Sequence, residues 1–183
     1  YILNSICCIE KKKLDITYAF KSEKNKLDIY YPEGKGPFPC VVFFHGGAFV
    51  KGDKRKYSSL PALYALQKGY AVISVNYRLV PDVYFPDFIY DAKAAIRFIK
   101  ANCKKYSIDK NKMVVWGESA GAYLACAVGI TEGVDYFEDL SMGNENENTK
   151  VAAVIDWYGP INFETSDAEI INEGHKVYMY DEN

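Results

Sequence analysis

Apolar residues follow two rhythms along the chain, and the rhythm changes near residue 40. Before it, Leu14 to Phe20 alternates loosely and Leu27-Asp28-Ile29-Tyr30-Tyr31 alternates clearly, the period of a strand with one buried face. The polar run from Lys21 to Lys26 between them predicts a hairpin of two half-exposed strands. Pro32, Gly34, Gly36, Pro37 and Pro39 then predict a loop. Beyond it, Cys40-Val41-Val42-Phe43-Phe44 is continuously apolar, as expected of a strand covered on both faces of a parallel sheet.

The second rhythm persists. Leu60 to Gly69 reads as a helix, with Ser58 or Ser59 as cap, Pro61 in the first turn and Gly69 as stop. Tyr70 to Val75 predicts a second buried strand. Pro86 opens a longer helix in which Phe88, Ala92, Ala95, Ile96 and Ile99 share one face. Met113-Val114-Val115-Trp116 is a third buried strand, followed directly by a small-residue helix from Ala120 to Val128. Asn144 to Asn148 reads as a solvated loop and Val151 to Ile155 as a fourth buried strand. Alternation of strand and helix implies βαβ units and a mostly parallel sheet with helices on both faces, preceded by an antiparallel hairpin. No linker or repeat divides the chain, so residues 1–183 are expected to form a single domain.

Composition narrows this picture only a little. The 183 residues are 49% hydrophobic and 25% charged, with a formal net charge of −2, which leaves no basic footprint for nucleic acid. No run of 18 or more apolar residues occurs, so no membrane span is expected. The cysteines are Cys7, Cys8, Cys40, Cys103 and Cys126. Their odd number and the absence of a Cys-x-x-Cys spacing suggest neither a disulfide framework nor a zinc site. Tyr1 in place of Met is expected where an upstream segment has been removed.

The chemistry concentrates in Trp116-Gly117-Glu118-Ser119-Ala120-Gly121, between a buried strand and a helix. A serine on so sharp a strand-to-helix turn needs small neighbours two residues away, and Gly117 and Gly121 supply them. The turn would lift the Ser119 hydroxyl above the sheet, where it can act as a nucleophile. The N–H groups at the start of the following helix then favour negative charge on a substrate. His45-Gly46-Gly47-Ala48-Phe49 follows the first buried strand. Acyl transfer passes through an oxyanion that needs preorganised N–H donors, and Gly47 and Ala48 from this loop, with Ala120 after the serine, are the candidates.

Together with Asn76-Tyr77-Arg78-Leu79, Phe85-Pro86, Asp91 and Ile108-Asp109, these motifs resemble the hormone-sensitive-lipase-like and the bacterial acetyl-xylan or feruloyl-esterase-like α/β hydrolases. The resemblance covers roughly residues 25 to 162. It implies the α/β-hydrolase fold, a small-molecule ester substrate, and hydrolysis through an acyl-enzyme without metal or organic cofactor. Within it, His45 shapes the oxyanion loop, Asp156-Trp157-Tyr158-Gly159-Pro160 is a structural turn, and Ala48 replaces a glycine while keeping its N–H. Glu118 and Ala122 also resemble the larger type-B carboxylesterases. Arg78 and Asp91 are candidates for a supporting ion pair near the site, and Phe49, Tyr84 and Phe85 for cleft aromatics.

A serine esterase needs a histidine base and an orienting carboxylate, which in this fold follow the serine on later strands. A βαβ unit takes about 30 residues, so two further strands do not fit after Ile155. His175 follows no buried strand, and Asp156 belongs to the structural turn. The expectation is therefore a hydrolase domain whose C-terminal strands are absent here, with acid and histidine carried further along or on a second chain. A binding protein without a triad and a peptidase or amidase remain as alternatives, since fold does not dictate chemistry.

Overall fold

The computed structural model describes residues 9–160. Its centre is one six-stranded sheet. The strands in chain order are β1 (Lys12–Thr17), β2 (Lys26–Tyr30), β3 (Phe38–Phe44), β4 (Ala71–Val75), β5 (Ile108–Glu118) and β6 (Ala153–Trp157). Across the sheet they lie in the order β1-β2-β4-β3-β5-β6. The expected hairpin is present: β1 and β2 pair antiparallel, and β2 continues antiparallel onto β4. From β4 through β3, β5 and β6 every pairing is parallel, so the strand ends after which loops turn towards helices all point one way. β2 is more deeply covered than a half-exposed strand, because its second edge is occupied by β4.

Cys40, Val42, Phe44, Val75 and Val115 face a core completed by two helices, α2 (Asp87–Ala101) and α3 (Ala120–Ile130). The predicted apolar face of α2, Phe88 through Ile99, is fully buried there. Tyr30, Phe43, Ala62 and Val72 form the smaller core on the opposite face. Its cover is a short α1 (Leu60–Leu63) flanked by 3-10 turns, Tyr57–Ser59 and Tyr64–Lys68. The expected single helix over this stretch thus has one α-helical turn, and it ends as expected at Gly69 in the left-handed conformation (φ 80°).

Two expectations need correction. The polar side of α2 is also buried: Lys93, Arg97 and Lys100 all lie under the segment 131–150. Lys93 pairs with Glu138 at 2.8 Å and donates to the Thr131 carbonyl. Arg97 meets the other Glu138 oxygen and donates to the Asp139 carbonyl at 2.8 Å. Lys100 donates to Asn148 Oδ1 and the Lys150 carbonyl. The Asn144–Asn148 loop is therefore tethered rather than simply solvated. The fourth strand is at the sheet edge rather than buried. Val154, Ile155 and Trp157 remain 36–38% exposed, because among the described residues β6 pairs only with β5.

Candidate active site

Glu118 closes β5 and Ser119 stands at the junction with α3, at φ 54° and ψ −120°, a backbone region that a side-chain-bearing residue enters at a cost of order 1–3 kcal/mol. The two glycines are dictated by clearance. A Cβ on Gly117 would lie 2.0 Å from the Gly121 carbonyl oxygen, and one on Gly121 would lie 2.0 Å from the Phe44 carbonyl oxygen. The elbow is thus a crossing of β3, β5 and α3 too close for any other residue. Around the serine, its N–H donates to the Trp157 carbonyl at 2.9 Å, and its carbonyl accepts from Ala122 and Tyr123 at the start of α3. Ala120, the first residue of α3, carries an N–H outside the intrahelical ladder.

The loop after β3 lies against this elbow. A Cβ on Gly46 would meet the Glu118 carbonyl oxygen at 2.8 Å and the Ser119 Cβ at 3.2 Å. Gly47 takes φ 128°, where a Cβ would strike the Lys51 carbonyl oxygen at 1.8 Å. Its own carbonyl accepts from Val50 and Lys51. Ala48 and Phe49 follow at φ 52° and 60°. Neither the Gly47 nor the Ala48 N–H donates a hydrogen bond among the described residues. Ser119 and the candidate donors Gly47, Ala48 and Ala120 are therefore brought together on adjacent segments.

His45 is buried within this loop. Its ring stacks on Tyr77 at 4.5 Å, Nδ1 lies 2.8 Å from the Gly46 carbonyl, and its own carbonyl accepts the Tyr77 hydroxyl at 2.7 Å. With that carbonyl as acceptor, Nδ1 carries the proton. Burial pushes its pKa from 6.5 down to about 4, so the ring is neutral near pH 7. Its contacts to Gly46 and Tyr77 hold it within the loop. No other histidine lies among the described residues, and His175, like Cys7 and Cys8, lies outside them.

The other candidates resolve as follows. Arg78 and Asp91 form the anticipated ion pair: the guanidinium reaches the carboxylate at 2.9–3.0 Å, and the Arg78 N–H donates to the same group at 2.7 Å. Asp91 is wholly buried. Asp156 Oδ1 accepts the Gly159 N–H at 2.7 Å, which makes it part of a turn. Phe49 is not a cleft aromatic; it is 1% exposed, stacked on Phe88 at 4.4 Å and edge-on to Tyr123. Tyr77 and Glu118 had no assigned part in the sequence reading. The Glu118 carboxyl lies against Gly46, with Oε2 buried and without a hydrogen-bond partner among the described residues. Neither contact has a signature in local spacing. No grouping of three or more His, Cys, Asp or Glu that could hold a metal occurs among the described residues.

A parallel sheet with an antiparallel hairpin, a strained serine between strand and helix, and a glycine loop against it define an α/β-hydrolase-fold protein. The chain belongs to the BD-FAE family, which it matches over residues 27–179. It is 30% identical over 152 residues to a probable carboxylic ester hydrolase, LipM, of Mycobacterium tuberculosis, covering 81% of this chain and 35% of that protein. Esterase LipC of the same organism is 35% identical over 131 residues, covering 70% and 31%. Among solved structures, a truncated carbohydrate esterase from gut microbiota superposes with a TM-score of 0.76 at 33% identity, covering 84% of this chain and 58% of that one. The chain spans about a third of the length of the curated relatives it matches.

Proposed function

We propose that this chain carries the nucleophile and oxyanion donors of a serine carboxylic-ester hydrolase. The carrying observation is the geometry of Ser119, held at φ 54° at the N-terminus of α3 with the Gly46–Ala48 loop against it. In this reading the Ser119 hydroxyl attacks the acyl carbon, the carbonyl π electrons move onto oxygen, and the Gly47, Ala48 and Ala120 N–H groups hold that oxyanion. Collapse expels the alcohol and leaves an acyl-enzyme, which water then hydrolyses. His45 is buried, stacked on Tyr77 and bonded to Gly46; in this reading the proton from Ser119 goes to a histidine beyond residue 160, oriented by a carboxylate there. A histidine on a further segment or on a second chain would serve. The esterases and the carbohydrate esterase among the relatives support a short-chain acyl, or an acetylated or feruloylated carbohydrate, as substrate.

The test is labelling by a fluorophosphonate probe and hydrolysis of p-nitrophenyl acetate by the enzyme expressed from its complete reading frame. Both are expected to vanish in Ser119→Ala, with kcat falling at least about a thousandfold. Unlabelled wild type would instead favour a binding protein on this scaffold, and amide cleavage at rates matching esters a peptidase. The 183 residues alone are expected to show negligible turnover.

A further inference from the structure

The loop from Gly46 to Lys56 holds an unusual concentration of positive φ angles: Gly47 at 128°, Ala48 at 52°, Phe49 at 60° and Gly52 at 134°. Such a backbone persists only where its surroundings over-determine it. On one side Phe49 is stacked into the core. On the other, the chain leaves the loop at Asp53-Lys54-Arg55 and is caught by groups that the reaction does not use.

Lys54 is held at three points. Its N–H donates to Asn76 Oδ1 at 2.6 Å, its carbonyl accepts from the Ser74 hydroxyl at 2.6 Å, and its ammonium, 5% exposed, reaches Asp15 at 2.8 Å and Asp28 at 3.7 Å. Arg55 grips both Asp28 oxygens, from Nε at 2.6 Å and Nη2 at 3.0 Å, and also meets Asp15 at 2.6 Å. Asp53 accepts the Asn76 amide at 3.0 Å and the Arg55 N–H at 2.8 Å. Asp28, fully buried on β2, accepts in addition from Tyr30 and from the Asp15 N–H. Asp15 sits where the register of β1 shifts, at φ 55°, and this irregularity turns it towards Lys54. Two cations from the loop thus meet two carboxylates from the hairpin, a closed and charge-balanced set.

The consequence reaches the active site through one contact. Gly52, directly before these residues, lies so close to His45 that a Cβ would stand 2.1 Å from Nδ1. His45 in turn is bonded to Gly46, and Gly46 abuts Ser119. We propose that the Asp15, Asp28, Lys54 and Arg55 cluster is the positioning device for the oxyanion loop, so that the leading hairpin serves catalysis at a distance. This rests on the reading of Gly47 and Ala48 as oxyanion donors. An ion set anchored on the buried Asp28 and Lys54 fixes the direction in which the chain leaves the loop, and an oxyanion donor is valuable only when it points correctly in the transition state.

The test uses the enzyme from its complete reading frame, p-nitrophenyl acetate, and fluorophosphonate titration to count reactive Ser119. Arg55→Lys keeps the charge and loses the two-pronged grip; Asp28→Asn keeps the shape and loses the charge. In both, kcat per titrated serine is expected to fall at least about tenfold with KM within about twofold. A cluster that only supports the fold would lower melting temperature and the titratable fraction while leaving kcat per serine unchanged, and that result overturns the proposal. If Asp28→Asn does not fold, Arg55→Lys decides alone. A wild type that neither labels nor turns over removes the esterase reading and this proposal together; an active wild type with unaltered variants removes this one only.

Discussion

The two sides of strand β5 are finished to very different degrees. Towards β3, its C-terminal end is sealed: Gly117, Gly121 and Gly46 sit at distances that leave no room for one carbon atom, and His45, Tyr77 and the Arg78–Asp91 pair are packed behind them. Towards β6, the described part of the sheet ends on a strand whose Val154, Ile155 and Trp157 are more than one-third exposed, with Trp116 edge-on to Trp157 on one face and α3 behind the other. The backbone of Ser119 is held by close approaches of β3, β5 and α3, with the Trp157 carbonyl of β6 accepting its N–H. The strained part of the site is held by the most complete part of the fold.

Substitutions can break that contrast or sharpen it. The largest effect is expected at the crossing itself: Gly121→Ala places a carbon against the Phe44 carbonyl and should cost about 4 kcal/mol or more, read as the loss of a cooperative urea transition or of soluble protein. Asp91→Ala leaves Arg78 without its buried partner and should cost about 3 kcal/mol or more; chemical denaturation measures it, and a cost under about 1 kcal/mol would remove this pair from the supports of the elbow.

Acid should loosen the sealed end. The His45 pKa is lowered in the folded protein, from 6.5 to about 4, so the unfolded chain takes up the proton first. Its contribution is complete above pH 6.5 and is lost as pH falls from there to about 4, by up to about 3 kcal/mol. Unfolding free energy measured at pH 7 and pH 4, with the ring titration followed by NMR, checks this; a ring titrating near 6.5 contradicts it. Asp15, held to about 2 by Lys54 and then Arg55, adds a smaller loss only below its ordinary 3.8. The smallest effect belongs to the open edge: Ile155→Ser should change the stability of the 183-residue chain by less than about 1 kcal/mol, because the side chain is already 36% exposed. A cost of several kcal/mol would mean that the edge is as tightly packed as the elbow.

Much of this was legible in the sequence, for local reasons. Continuous apolar runs marked β3, β4 and β5, alternation marked the hairpin, and Gly-x-Ser-x-Gly between strand and helix marked the elbow. The errors have a common cause. Asn144 to Asn148 read as a solvated loop, yet this segment and its neighbours supply Glu138, Asn148 and backbone carbonyls to Lys93, Arg97 and Lys100 on α2. Phe49 read as a cleft aromatic because it follows the glycine loop, yet its backbone at φ 60° turns it inward onto Phe88. Val151 to Ile155 read as buried because apolarity signals a preference for burial, not the presence of a neighbour.

The sequence by itself determined the elements, their parallel arrangement and the place of Ser119 on a strand-to-helix turn, because periodicity and glycine demand act within a few residues along the chain. Only the tertiary structure decided that His45 stacks on Tyr77 and bonds to Gly46, that Phe49 belongs to the core, and that the hairpin's Asp15 and Asp28 grip the loop from Gly46 to Lys56. Each of these depends on contacts between residues far apart in sequence, and such contacts leave no local period to read.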